Sequence, residues 1–110
     1  MRREIPQTMK KLLVEVKKRL KEIYGDNLKD VILCGSYARG DFSQGSDIDL
    51  IILLGEMEQR MTERKKYFDA IWELELKYDM VISILPFKEE EYKTRRLPII
   101  LNAKREGISI

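Results

Sequence analysis

The chain has 110 residues, 44% of them apolar and 36% charged, and its formal net charge is +2. That size fits one small domain with one modest core, and the apolar share excludes an unfolded chain. Charges of both signs alternate along it, so no nucleic-acid surface is expected, and no apolar run approaches the ~18 residues of a membrane span.

The start, MRREIPQTMKK, is basic but lacks the apolar centre of a signal peptide, so the cytoplasm is the expected compartment. Cys34 is the single cysteine and can form no internal disulfide. With no histidine and one cysteine, a soft zinc site is excluded. Any metal must be a hard cation held by carboxylates, which points to magnesium or manganese.

Residues 6–24 are expected to form a helix. Pro6 suits a first turn, and Met9, Leu12, Leu13, Val16, Leu20 and Ile23 recur at spacings of three and four. Gly25 is its expected C-terminal cap. The apolar run 31–35, VILCG, reads as a strand buried on both faces. The next eleven residues, SYARGDFSQGS, carry Gly40, Asp41 and Gly45-Ser46 as turn signals and read as one helical turn plus a loop. DIDLIILL, 47–54, is a second strand. Residues 57–77 are expected to be a helix with Met61, Phe68, Ile71, Trp72 and Leu74 on its apolar face, Trp72 being a core residue. A third strand is expected over 78–85, opened by Asp79 and stopped by Pro86. Lys88–Arg96 reads as a solvated face that includes a short helix. Pro98–Glu106 reads as another helix, with Gly107 just past its end and an extended ISI after it. This order predicts one domain over residues 1–110 of α+β (α/β-type) class. Its centre is a small mixed β-sheet of three or more strands flanked by helices.

The stretch GSYARGDFSQGSDIDL, residues 35–50, carries the chemistry. Side chains two apart on a strand share a face, with backbone positions about 6.6 Å apart at roughly 3.3 Å per residue. Asp47 and Asp49 can therefore converge on one cation or on a close pair of them; the plainer alternative is a strand that opens on loop aspartates. Gly35-Ser36 follows a buried strand and leads into a helical turn. Glycine lets a ligand approach the backbone, amides at a helix start favour anions, and the Ser36 hydroxyl adds a donor. Together the two features suit a magnesium-nucleotide site. It is not a P-loop, because no Gly-Lys-Ser/Thr is present. Arg39 can reach a phosphate, pair with Asp41 or lie in solvent. Ser46 can orient Asp47 or simply close a turn.

The same stretch resembles the signature of the DNA polymerase β-like nucleotidyltransferases, and more narrowly of their minimal nucleotidyltransferase (MNT) group. That group shows Gly-Ser, ten residues, then Asp-x-Asp, and ten residues lie between Ser36 and Asp47. Tyr37 departs from it, standing where an arginine is common. The resemblance implies a nucleotidyltransferase fold in which Gly35 and Ser36 hold the β- and γ-phosphates of ATP or another nucleoside triphosphate. It implies that Asp47 and Asp49 ligate two Mg2+ ions, with Mn2+ as an alternative, and that a third carboxylate on a later strand completes the set. Asp79 is the natural candidate for that third position; its other reading is a solvent-facing aspartate.

The reaction implied is transfer of NMP, expected to be AMP, to an acceptor hydroxyl. The implied partner is a HEPN-type toxin whose tyrosine accepts the AMP, the present chain acting as antitoxin. An alternative expectation is a non-catalytic module that binds nucleotide or covers its partner. An aminoglycoside-modifying enzyme would need a further helical domain, and template-directed synthesis would need a basic face.

Overall fold

The computed structural model describes residues 4–110, so the first three residues of the basic start lie outside it. Helix α1 spans Gln7–Tyr24, and a 3-10 turn at Gly25–Asn27 leads into strand β1, Leu28–Cys34. Helix α2, Gly35–Arg39, is a single turn and a half, followed by a loop and by β2, Ile48–Leu54. Helix α3, Arg60–Tyr78, leads to β3, Ile82–Lys88, then α4, Glu89–Thr94, α5, Pro98–Glu106, and β4, Ile108–Ser109.

The four strands form one mixed sheet in the order β3-β2-β1-β4. β1 runs antiparallel to β2 and β4, and β2 runs parallel to β3. A parallel neighbour needs a crossover, and α3 supplies it. Alternate residues of β1 and β2 serve two cores. Val31, Leu33, Leu50, Ile52 and Leu54 pack under α1 and α3, while Ile32, Ile51 and Leu53 pack with Phe87, Tyr92 and Ile100 under α4 and α5. Burial on both faces explains why these strands read as unbroken apolar runs. Lys77 Nζ to Glu15 Oε1 at 2.7 Å, the Tyr78 hydroxyl to the same carboxylate, and Arg19 to Glu73 at 3.0 Å tie α1 to α3.

Three expectations are corrected. Trp72 is not core: it is 52% exposed, and Met61 and Phe68 also face outward. The buried face of α3 is Glu63, Tyr67, Ala70, Ile71 and Leu74. At about 100° per residue, Trp72 sits a quarter-turn on from Ile71, so the sequence reading had merged two faces. The third strand begins at Ile82, not at residue 78, because α3 continues to Tyr78 and Asp79 caps it in the left-handed conformation at φ 52°. Aspartate is among the few non-glycine residues that accept that geometry. Pro86 does not stop β3 but lies inside it. It stands on the sheet's outer edge, where a missing N–H breaks no ladder bond.

That edge is covered by side chains of α3. The Ile82 amide donates to Glu75 Oε2 at 2.9 Å, the Tyr67 hydroxyl donates to the Ile84 carbonyl at 3.4 Å, and Arg60 Nε donates to the Pro86 carbonyl at 3.2 Å. Edge strands treated in this way resist pairing with another strand.

Glu63 is the one charged side chain buried among the described residues, at 1% exposure. Its carboxylate accepts from the Glu58 amide at 2.7 Å and the Tyr24 hydroxyl at 3.1 Å, and pairs with Lys66 at 3.3 Å. Burial alone would raise its pKa, but these donors together outweigh burial and hold it below the ordinary carboxylate value. A carboxyl depressed in the folded state stabilises the fold fully above its unfolded pKa, about 4.3, and that stability is lost as pH falls through the folded value. Glu63→Gln is expected to lower stability at pH 7 by about 1–3 kcal/mol. It should also flatten the decline of stability on acidification below about pH 5. Urea denaturation at a series of pH values checks both.

Candidate active site

The register of β1 against β2 builds the site. Cys34 lies opposite Asp49, so the residue after Cys34 meets the Asp49 side chain. That residue is Gly35, at φ 69°, and a Cβ on it would lie 2.5 Å from Asp49 Oδ2. Only glycine tolerates both the left-handed backbone and this approach. From Gly35 the chain winds into α2, which ends at Gly40 in the left-handed conformation, with the Gly40 and Asp41 amides both donating to the Ser36 carbonyl at 2.9 and 3.1 Å. Tyr37 is buried and stacks on Phe42 with ring centres 4.4 Å apart, which fixes the turn to the loop behind it.

Asp47 and Asp49 flank Ile48, which is fully buried on the α1/α3 side. The Ile48 amide donates to the Val81 carbonyl at 2.9 Å and anchors the start of β2. Asp47 is exposed and Asp49 is half-buried. Burial raises the Asp49 pKa, the Asp47 charge raises it further, and the Arg39 guanidinium opposes both. No group among the described residues donates a hydrogen bond to the Asp49 carboxylate. A half-buried anion without a donor, next to a second carboxylate, suits a cation.

A cavity of about 520 Å³ opens beside Asp49, between the sheet and α5. Gly35, Arg39, Asp49, Ser83, Asn102 and Glu106 give it its polar character, and Ile51, Leu85 and Ile99 its apolar wall. Arg39 donates through Nε to Asp41 at 3.0 Å and through a terminal nitrogen to Glu106 at 3.3 Å. Both carboxylates raise its pKa, Asp41 more than Glu106. It thus pairs with Asp41, one of the alternatives the sequence left open, while still facing the cavity. The Cys34 thiol is pushed up to about 11, first by burial and then by the Asp49 charge, so it stays protonated at neutral pH.

Of the expected site residues, the fold gathers Gly35, Arg39 and Asp49 at this cavity and holds Asp47 within electrostatic reach of Asp49. Ser36 is half-buried in the first turn of α2 and its hydroxyl is free among the described residues. Ser46 closes a turn: its hydroxyl accepts from the Ser43 amide at 2.9 Å, and its amide donates to the Ser43 carbonyl at 3.1 Å. Ser36, Ser46, Asp47 and Asp79 are all outside the cavity lining. The residue of β3 in register with Asp49 is Ser83, four positions after Asp79, a separation of up to about 13 Å along an extended chain. Among the described residues no three His, Cys, Asp or Glu side chains gather closely enough to hold a metal. The oxygen-only donors fit magnesium, which binds through one or two carboxylates and fills its remaining positions with water and phosphate oxygens.

Three polar cavity residues, Ser83, Asn102 and Glu106, were not foreseen. Ser83 had a signal, a polar residue inside the apolar run MVISIL. Glu106 had none that spacing supplies, because α5 reaches the cavity only by folding back across the sheet.

A mixed sheet whose second strand opens on paired aspartates beside a Gly-Ser turn defines the nucleotidyltransferase class. The nucleotidyltransferase domain profile matches residues 13–107, and the chain belongs to that family. A relative from Methanocaldococcus jannaschii, provisionally named a protein adenylyltransferase, is 36% identical over 99 residues, covering 90% of this chain and 95% of its own length. A second from the same organism, of the same provisional name, is 35% identical over 85 residues, covering 77% of this chain and 79% of its own. Among solved structures, a toxin–antitoxin crystal structure with AMP-PNP superposes with TM-score 0.64 at 17% identity, over 87% of this chain and 69% of that one. The tri-AMPylated Shewanella oneidensis HEPN toxin in complex with its MNT antitoxin gives TM-score 0.60 at 14% identity, over 91% and 69%. At these identities the likeness to the solved structures is one of fold.

The approach of Gly35 to Asp49 is the contact most easily tested. Gly35→Ala forces a Cβ into the carboxylate and holds alanine at positive φ. The expected loss is about 1–3 kcal/mol of unfolding free energy. Equilibrium urea unfolding measures it, and a midpoint equal to the parent protein's would contradict the geometry.

Proposed function

We propose that this chain transfers AMP from Mg-ATP to a hydroxyl on a partner protein, and that Gly35, Ser36, Asp47 and Asp49 form the reacting site. The observation that carries this reading is the donor-free Asp49 carboxylate held against Gly35 and coupled to Asp47. Magnesium, when bound there by Asp47 and Asp49, would neutralise phosphate charge and ease deprotonation of the acceptor hydroxyl. The chain's own residues do the positioning. Gly35 lets phosphate oxygens approach the backbone, and the free Ser36 hydroxyl donates to them. The helix α2 is too short to bring a large dipole, so that hydroxyl and the local amides carry the anion binding. Arg39 is released from Glu106 or Asp41 to reach a phosphate, or stays paired and screens Asp49. Ser46 serves indirectly, by closing the turn that delivers Asp47.

Asp79 has no direct part in this reading, because it caps α3 before β3 begins, and Ser83 lies in register with Asp49 in its place. The acceptor is a protein, as in the names of the relatives. A tyrosine of a HEPN-type toxin is the acceptor proposed, with the present chain as antitoxin. Support comes from the shared fold with an MNT antitoxin whose complexed toxin carries AMP. Cytoplasm remains the proposed compartment; no described helix is long and apolar enough to cross a membrane.

One observation favours a second reading, a non-catalytic module that binds nucleotide and covers its partner. It is the lack, among the described residues, of a third carboxylate gathered with Asp47 and Asp49. Mixing the protein with its HEPN-type partner, magnesium and ATP labelled at the α- or γ-phosphate separates the readings. Transfer predicts label on the partner from α-labelled ATP alone, reduced at least a hundredfold by Asp47→Asn with Asp49→Asn and retained by Asp79→Asn. Nucleotide binding without α-label transfer would establish the second reading, and γ-label on the partner would establish a kinase.

A further inference from the structure

The cavity beside Asp49 changes polarity along its length. Its floor is the sheet. Asp49 lies in register with Ser83, and on the same face, two residues further along each strand, Ile51 lies in register with Leu85. Its roof is one stripe of α5, because Ile99, Asn102, Ala103 and Glu106 follow one another at spacings of three and four. Glu106 marks the charged end of that roof, 3.3 Å from Arg39. At 1.5 Å per residue, Ile99 stands about 10 Å away along the helix, at the other end. Ala103 lies between them, and its single methyl leaves room between roof and floor.

At about 520 Å³, with a mostly apolar wall and a few polar groups, this slot has the size and lining of a site for an organic ligand rather than for bare phosphate. Ile99 is 45% exposed and Leu85 is half-buried, so aliphatic surface there meets water. One uncharged polar side chain of the roof, Asn102, stands between the two ends. Its Oδ1 accepts from Arg105 at 2.9 Å, and no described residue takes its Nδ2 donors. A carboxamide sets a donor beside an acceptor, the pattern that meets the edge of a nucleobase. A phenol brought by a partner protein must put its hydroxyl at the aspartates, and it has no such edge for Asn102 to read.

We infer that this slot holds the nucleoside of the nucleotide, with the base between Leu85 and Ile99, the Asn102 carboxamide on its edge, and the phosphates at Gly35 and Asp49. The inference rests on the reading of Gly35, Ser36, Asp47 and Asp49 as a nucleotide site, and adds to it the residues that recognise the base. Covering Ile99 and Leu85 with a flat ring removes apolar surface from water, so the nucleoside contributes affinity that the phosphate chain alone lacks. Arg39 and Glu106 stay at the phosphate end and take no part in reading the base.

The methyl groups of Leu85 and Ile99 report a stacked base directly, through the ring current it exerts on their NMR shifts. The full chain, labelled at its amides and at its leucine and isoleucine methyls, is titrated in the presence of magnesium with a non-hydrolysable ATP analogue. A parallel titration uses methyl triphosphate, which keeps the phosphate chain and lacks the nucleoside. Both ligands are expected to move the Gly35 and Ser36 amides. Only the analogue should move the Leu85 and Ile99 methyls, and it should bind at least tenfold more tightly. Ile99→Gln and Asn102→Leu, both at exposed positions, should each weaken the analogue at least threefold, leave methyl triphosphate binding unchanged and keep the circular dichroism of the parent. Equal affinities for the two ligands would overturn the inference, as would Leu85 and Ile99 methyls that stay still while Gly35 and Ser36 move; either result leaves the phosphate site standing. Methyls that move only when a HEPN-type partner is added would also overturn it, since the slot would then belong to the acceptor. If neither ligand moves Gly35 or Ser36, the nucleotide reading itself fails and this inference falls with it.

Discussion

The structure turns on the antiparallel pairing that sets Cys34 opposite Asp49. Given that register, Gly35 must pass within van der Waals contact of a carboxylate, at a backbone angle that only glycine takes readily. β1 and β2 are buried on both faces, so a slip of one residue would drive Asp49 into the core under α1 and α3 and expose Leu50 or Ile48. The hydrophobic pattern of the two central strands therefore fixes the electrostatics of the site. Asp49 is left half-buried, close to a second negative charge and short of donors, a combination unfavourable to the protein alone and suited to a bound cation.

Where sequence reading succeeded, the signal was local or came from strict periodicity. β1, β2 and α5 follow from apolar runs and from punctuation by Gly35, Pro98 and Gly107. The nearness of Gly35 to Asp49 follows from the antiparallel register of β1 and β2, which brings the end of one strand beside the start of the other. Reading failed where two physical roles look alike in one letter. Asp79 before an apolar run resembles the opening of a strand, but a helix also ends well on an aspartate in the left-handed conformation. Pro86 resembles a strand terminator, but an outer-edge position costs it no hydrogen bond. Trp72 resembles core until the phase of Tyr67, Ala70 and Leu74 shows that a different face of α3 is buried. Glu106 could not be assigned, because its nearness to Arg39 depends on how α5 folds back over the sheet.

The molecule thus carries two surfaces with different requirements. The cavity beside Asp49 is open, polar at its mouth and organised around unmet negative charge. The outer face of α3 exposes Met61, Phe68, Trp72 and Leu76. In a chain of 110 residues both rest on the same sheet: β2 presents the aspartates from one end, and α3, which crosses from β2 to β3, exposes its stripe on the side away from the sheet.

The central claim is that Gly35, Ser36 and Asp49 surround one metal-and-phosphate site. Paramagnetic broadening by Mn2+, recorded on isotope-labelled protein with a non-hydrolysable ATP analogue, tests it most directly. The account predicts that the amide resonances of Gly35, Ser36 and Asp49 broaden first as Mn2+ is added, with that of Asp79 less affected. Broadening centred elsewhere on the chain, with the Gly35 and Asp49 signals unchanged, would contradict it.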